Sequence, residues 1–431
     1  VASALEGTYT IGGTLPDFSS INAAADALNS RGVCGHVTFN IRDGNYSDQR
    51  AVLNAITGAG PTARITFKSE SNDATKVTLS FDAPHNDTNH IFRLNDASYI
   101  TIRDLTLSPV NATRHKAIEI FGSSSYDSIV NCHILMPGPV GTPINNHKTG
   151  IFGNTLTGDA KYNVIANNII EHGAFGIYWY ASNANKTYNH VFSGNTITGY
   201  GSKGMDIRYA GRLTISDNTF SGTGTGTYYG IQCQDADSGQ YIAGNRITLV
   251  AASPYGVEMS NCMAHPGAMS RIENNRIHLE QATSVSYGIR SQTTSYAVFL
   301  NNVITLYGTA GTAQGLYGTG SNVSYYHNSV RITGNHATNT AAGYFSHNVG
   351  TNAVIRNNIF YNAGSVGLGM FSYYATGIDA DYNNVYSASG DLFRKSSGGN
   401  VTYTSLADWQ AASGQERHSI AYPPAFLDTI T

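Results

Sequence analysis

Charge is scarce in this chain. Of its 431 residues only 12% are Asp, Glu, Lys or Arg, and the formal net charge is −3. No basic block or stripe occurs, which argues against nucleic acid as a partner, since its phosphates are held by clustered Lys and Arg. No apolar run approaches the length of a membrane-spanning helix, so membrane insertion is not expected. Cysteine is scarce too. Cys34, Cys132, Cys233 and Cys262 form no CxxC pair, so a structural zinc site is not expected, and four are too few for a disulfide framework. They read mostly as small buried apolar residues. The histidines His133, His172, His265 and His327 show no metal-ligand spacing, and no metal or other cofactor is called for.

What is present is turn-rich and β-prone: 46 Gly and 28 Tyr, with 41% hydrophobic residues for a core. Long helices are not supported. The chain opens on Val1 without Met, which reads as a mature product after signal removal. With few lysines and much Asn, Thr and Gly, an extracellular bacterial protein is expected.

One motif recurs. Val164-Ile-Ala-Asn-Asn-Ile-Ile170 has the form apolar-x-x-Asn-Asn-x-apolar, and variants place a second Asn at 195, 218, 245, 275, 302, 328, 358 and 384. Steps of 23 to 30 residues mark a repeat architecture in which each repeat is one coil, with insertions confined to turns. Leu105 and Cys132 hold the same place in earlier coils. The Asn side chains are expected to stack from coil to coil at a turn, each bonding its neighbours and the turn backbone.

The ends depart from the repeat. Residues 1–35 carry a short strand-like piece, Gly7–Gly12, and an Ala-rich amphipathic segment with apolar Ile21, Ala25 and Leu28. That segment reads as a helix covering the open end of the first coil. Residues 404–431 hold a short helix near Ser405–Ala412 ahead of Pro423-Pro424 and read as a second cap. The expected organisation is one domain, 1–431, with about twelve coils over 36–403.

On these motifs the chain resembles right-handed parallel β-helix proteins of the pectin-lyase-like class. The opening Gly7-Thr-Tyr-Thr-Ile-Gly-Gly13 with Pro16-Asp17-Phe18, and the closing Leu406-Ala-Asp-Trp409, are similar to secreted β-helix proteins of Bacteroidetes-type bacteria. The resemblance implies an all-β solenoid capped at both ends, in a class whose characterised members are mostly polysaccharide-cleaving. The calcium-binding Asp cluster and Arg signature of pectate lyases are absent, as are the paired-Asp, Gly-His-Gly and Arg-x-Lys motifs of polygalacturonases, so no family catalytic residue carries over.

A second motif follows each Asn: Gly, then apolar residues alternating with others. Gly176-Ile-Tyr-Trp-Tyr180, Gly204-Met-Asp-Ile-Arg208, Gly230-Ile-Gln-Cys-Gln234, Gly256-Val-Glu-Met-Ser260 and Gly288-Ile-Arg-Ser-Gln292 are clear cases, and Gly315 and Gly343 lead two more. Strand alternation sends the first and third residues inward and the second and fourth outward to solvent. In coil order the second places are Glu119, Phe152, Tyr178, Asp206, Gln232, Glu258, Arg290, Tyr317 and Phe345. The fourth include Tyr180, Arg208, Gln234, Gln292 and His347.

Rings flanking amides and charges compose a sugar-binding face. A polysaccharide is therefore the expected partner, with Tyr178, Tyr180, Arg208, Gln232, Gln234, Asp235, Arg290 and Tyr317 as its binding residues. Asp206 and Glu258, two coils apart and hence about 9–10 Å by strand spacing, are the expected acid/base pair of an inverting glycoside hydrolase. Arg290 would keep Glu258 ionised, whereas Arg208 on the same strand as Asp206 opposes an acid role there. Two alternatives stand beside hydrolysis. One is a lyase acting on a uronic-acid polymer, with Arg208, Arg290 or Lys203 neutralising the uronate and Tyr178, Tyr180 or His347 as base. The other is a non-catalytic adhesin or carbohydrate-binding stalk. Two long turns, 137–149 and 262–268, are candidates for groove walls.

Overall fold

Alternating strands, most of them short, broken by residues that tolerate a left-handed backbone, leave the chain one economical way to bury its apolar face, which is to coil upon itself. The computed structural model describes residues 3–138, 147–337, 339–348, 350–374 and 378–425. It is an all-β, right-handed parallel β-solenoid of about 14 turns, two more than the sequence reading, with two helices. The chain divides into two compact units, Val1–Ser221 and Gly222–Thr431.

In the first unit the helix α1 (Ile21–Arg31) forms where expected. The Ser20 hydroxyl accepts from the Ala23 N–H, and Gly32, at φ 67°, ends the helix. Ile21, Ala24, Ala25 and Leu28 are its buried face. Parallel strands then pair one coil on, as in Val37–Ile41 with Ile65–Ser69. Inward residues such as Ile118, Ile120, Ile177, Met205 and Ile207 are wholly buried. Trp179 fills the core opposite Gly153, where a Cβ would stand 2.3 Å from the indole. Cys132, Cys233 and Cys262 are buried and Cys34 is exposed.

The ladder is built as the sequence implies. Asn168 Oδ1 accepts the Cys132 N–H, while its Nδ2 donates to Ile129 O and Asn195 Oδ1. Asn195 repeats this against Asn218. In the second unit the run is Asn245, Asn275, Asn302, Asn328, Asn358 and Asn383. The residue before each ladder Asn is left-handed: Asn167 (φ 55°), Asp217 (57°), Asn274 (56°), Asn301 (54°) and Asn357 (58°). Asn and Asp accept that conformation more readily than most residues, which explains the doublet. The last rung is Asn383, not Asn384, because Tyr382 supplies the left-handed turn (φ 60°).

The leading glycines have a separate cause. A Cβ on Gly256 would lie 2.5 Å from the Gly288 carbonyl oxygen and 2.5 Å from Ile277 Cγ2, so the backbone corner touches the next coil directly.

The second unit closes with an antiparallel pair, Phe393–Lys395 with Val401–Tyr403, and helix α2 (Leu406–Ser413), capped by Ser405 and Gly414. Trp409 is buried with its ring flat on Phe393, centroids 5.0 Å apart. Beyond it, Glu416 ends the ladder: its carboxyl oxygens accept from Asn383 Nδ2 at 3.0 and 3.1 Å and from the Ser419 hydroxyl.

Two stability measurements follow from this construction. Asn302 makes four buried hydrogen bonds, so Asn302→Ala is expected to cost about 3 kcal/mol in urea unfolding, the desolvation of the groups it strands. Burial raises the Glu416 carboxyl from 4.5 to about 7 against its hydrogen-bond donors. The folded state thus holds that proton longer than the unfolded chain does. Stability falls as pH rises from about 4.5 to about 7, by about 3 kcal/mol for this group. Thermal melts across that window are expected to show the fall in the native chain and a flatter profile in Glu416→Gln.

Candidate functional site

The Gly-led strands place their second residues in register. In the first unit the pairing runs Val52, Arg93, Glu119, Phe152, Tyr178, Asp206, one per coil. In the second it runs Glu258, Arg290, Tyr317, Tyr344, Phe371, Arg394. These positions leave the core as the alternation predicts, but most do not meet solvent. Tyr178, Gln232 and Glu258 are buried and Asp206 is 0% exposed. Coils about 4.8 Å apart force large neighbouring side chains into contact, so each outward residue is covered by those beside it.

Asp206 shows the result. Its carboxylate accepts Lys203 Nζ at 2.7 Å, Arg208 Nη2 at 3.0 Å and Arg208 Nε at 3.2 Å. Both cations come from its own strand, Lys203–Arg208, and they lie nearer the surface than the acid they hold, with side chains 13% and 31% exposed. The Arg208 guanidinium sits 5.7 Å from the Tyr178 ring centre and 5.9 Å from that of Tyr180. Tyr178 in turn stacks on Phe152 and Phe175 at 5.3 and 5.1 Å. Burial pushes the Tyr178 hydroxyl up to about 12, so it keeps its proton at neutral pH.

A second cationic cluster surrounds Glu119. Lys116 Nζ donates to its carboxylate at 2.9 Å, Arg93 Nη1 lies at 3.6 Å and His90 Nδ1 at 3.8 Å. Lys116 caps the Phe152 ring at 4.5 Å and Arg93 the Phe121 ring at 4.3 Å. The buried Nε atoms of Arg50 and Arg93 and both ring nitrogens of His90 have no hydrogen-bond partner. Burial, with Arg50, Arg93 and Lys116 nearby, holds His90 down at about 3, a neutral imidazole. Sequence reasoning found Glu119 and missed Arg50, His90, Arg93 and Lys116. The earliest coils lack the leading Gly, and only carrying the outward column two coils upstream would have reached them.

In the second unit Glu258 accepts from Gln232 Nε2 at 2.5 Å and from Arg290 Nη1, so the expected Arg290–Glu258 pair is formed. Arg290 also lies 5.0 Å over the Tyr287 ring and 5.7 Å over that of Tyr317. Gln234 is half-buried at a strand end, and Asp235 is a left-handed turn residue (φ 51°) accepting from Asn261 at 3.3 Å.

The strand led by Gly343 corrects the expected register. Leu316 pairs Gly343 and Tyr317 pairs Tyr344, so Ala342 holds the corner. Tyr344 is the outward residue, and Phe345 and His347 are buried. A slip of one residue exchanges the faces. Of the long turns, residues 139–146 of the first lie outside the described residues; the second holds the bridge His265–Ala268. Among the described residues no group of three or more His, Cys, Asp or Glu gathers as metal ligands would.

The family described as "Right handed beta helix region" matches residues 155–323. No curated protein sequence matches the chain. Among solved structures it is similar to the GH136 lacto-N-biosidase from Eubacterium ramulus (13% identity, TM-score 0.46), covering 84% of this chain and 64% of that one, so this chain spans less than two thirds of that enzyme. It is similar to the alginate lyase from Paenibacillus sp. str. FPU-7 at 14% identity and TM-score 0.45, over 74% of this chain and 98% of that one. A mannuronic acid specific family 6 polysaccharide lyase from human gut microbiota gives 13% and 0.48, over 87% and 86%. At such identities what is shared is the fold.

Proposed function

We propose that this chain is a secreted enzyme that binds an acidic polysaccharide along the outward column of its Gly-led strands and cleaves it by elimination. The observation that carries this reading is the arrangement of charge in residues 1–221. Asp206 is buried beneath Lys203 and Arg208, and Glu119 is buried beside Lys116 and Arg93. Each carboxylate is hidden and faces two cations, so the charge left for a ligand is positive. Aromatic rings between the two clusters offer faces for sugar rings.

In a uronate the C5 proton leaves more readily once a cation neutralises the adjoining carboxylate, because the developing charge spreads onto that group. Lys203 and Arg208 supply the cation. Tyr180, acting as a phenolate beside the Arg208 guanidinium, takes the C5 proton on its oxygen. As the C4–O4 bond breaks and the C4–C5 double bond forms, Tyr178 gives its hydroxyl proton to the departing oxygen, a role suited to a phenol that burial keeps protonated. Asp206 acts through its neighbours, holding the two cations in position. A general acid must reach the leaving oxygen, and a fully covered carboxylate engaged by two cations does not. Glu258, bonded to Gln232 and Arg290, is likewise engaged in holding its cation.

Incubation with polyuronates and with neutral polysaccharides is expected to release an unsaturated, ultraviolet-absorbing product from a polyuronate alone. Arg208→Ala and Tyr178→Phe are expected to lower kcat/KM by about 100-fold each. Reducing ends without absorbance would turn the reading to hydrolysis, and binding without cleavage of any polymer would turn it to an adhesin. Asp206→Leu is expected to cost about 3 kcal/mol in urea unfolding, because two cations lose their counter-charge, and less in an Arg208→Met background.

A further inference from the structure

One outward column of the second unit changes character along its length. Tyr255, Tyr287, Gln314, Ala341 and Leu368 succeed one another coil by coil. The rings of Tyr255 and Tyr287 meet at a tilt, with centres 4.9 Å apart. Further along, beside Gln314, lies a cavity of about 330 Å³ lined by Tyr287, Gln314, Tyr344, Phe371, Arg394 and Asn400, among others. The volume lies in the range of small-ligand pockets.

The lining makes specific demands. Gln314 is 6% exposed, yet its buried Oε1 has no hydrogen-bond partner. An amide oxygen left so costs free energy unless a donor arrives. Arg394 gives Nε to the Thr402 hydroxyl at 2.9 Å, and among the described residues it pairs with no carboxylate, so its remaining N–H groups are available to an anion. Tyr344 and Phe371, stacked at 4.2 Å, present an apolar wall. Among the described residues that line the space, none is acidic. An occupant therefore needs a hydroxyl to donate, a flat apolar face and a negative group, in the volume of about one sugar ring.

We propose that this cavity is a binding pocket for a single uronate unit of a polysaccharide, its carboxylate on Arg394, a hydroxyl donating to Gln314 Oε1 and its ring against the Tyr344–Phe371 wall. The ligand class rests on the reading of the chain as a protein of acidic polysaccharides; the pocket itself is independent of Lys203, Arg208 and any cleavage.

Saturation-transfer NMR and calorimetry with glucuronate, galacturonate, glucose, galactose and polyuronate trisaccharides test this on the full chain. A uronate is expected to bind, with the matching neutral sugar at least about tenfold weaker, a difference worth about 1.4 kcal/mol. Gln314→Ala and Arg394→Met are each expected to weaken binding about tenfold or more. Uronate binding in a chain that cleaves nothing would sustain the pocket and remove the elimination reading. Failure of every uronate to bind the folded chain, or binding indifferent to both Gln314→Ala and Arg394→Met, would overturn the pocket.

Discussion

Every coil must turn, and each inward turn strands a backbone N–H and a carbonyl away from water. From Asn168 onward an asparagine at this turn resolves it, accepting from the N–H of one coil, donating to a carbonyl of that coil and passing its second donor to the next amide, as Asn302 does. The strands, the leading glycines and the outward columns are all placed relative to those turns. Because the buried polar groups are satisfied coil by coil, the remaining sequence is free to vary on its outward face, where the cationic clusters and the ring columns lie.

Chemistry on that face is governed by crowding. Side chains on neighbouring coils are so close that long cations and rings cover the shorter carboxylates between them. Asp206, Glu119 and Glu258 hold Lys203 and Arg208, Lys116, and Arg290 respectively. A reading of the sequence that treats every outward residue as equally accessible overlooks that covering.

The solenoid itself was legible because its two signals, the Asn turn and the Gly-led alternation, are local and repeated. Both helices and the Arg290–Glu258 contact were legible for the same reason: a cap residue or a coil spacing is enough to place them. Errors arose where a repeat substituted one acceptable residue for another. Ala342 stands in for the corner glycine and moves Tyr344 outward; Tyr382 stands in for the turn Asn and makes Asn383 the rung. Burial of the outward carboxylates was not legible, since it depends in part on side chains one coil away, as Gln232 is from Glu258 and Arg93 from Glu119, each 26 residues apart. The Arg50–His90–Arg93–Lys116 cluster escaped because its coils lack the glycine that marked the others.

The ladder also has a direction. From Asn275 to Asn358 each rung gives its side-chain amide both to a carbonyl of the coil before and to the next rung's oxygen, so the rungs are interchangeable while the two ends are not. A coil can be duplicated or lost within such a series and the bonding pattern closes again unchanged. The final donor alone needs a group that accepts without handing a donor onward, and the carboxyl oxygens of Glu416 supply it. Length in this architecture is therefore free to drift by whole coils, and the cap that carries the terminal acceptor is the part that must travel with the end.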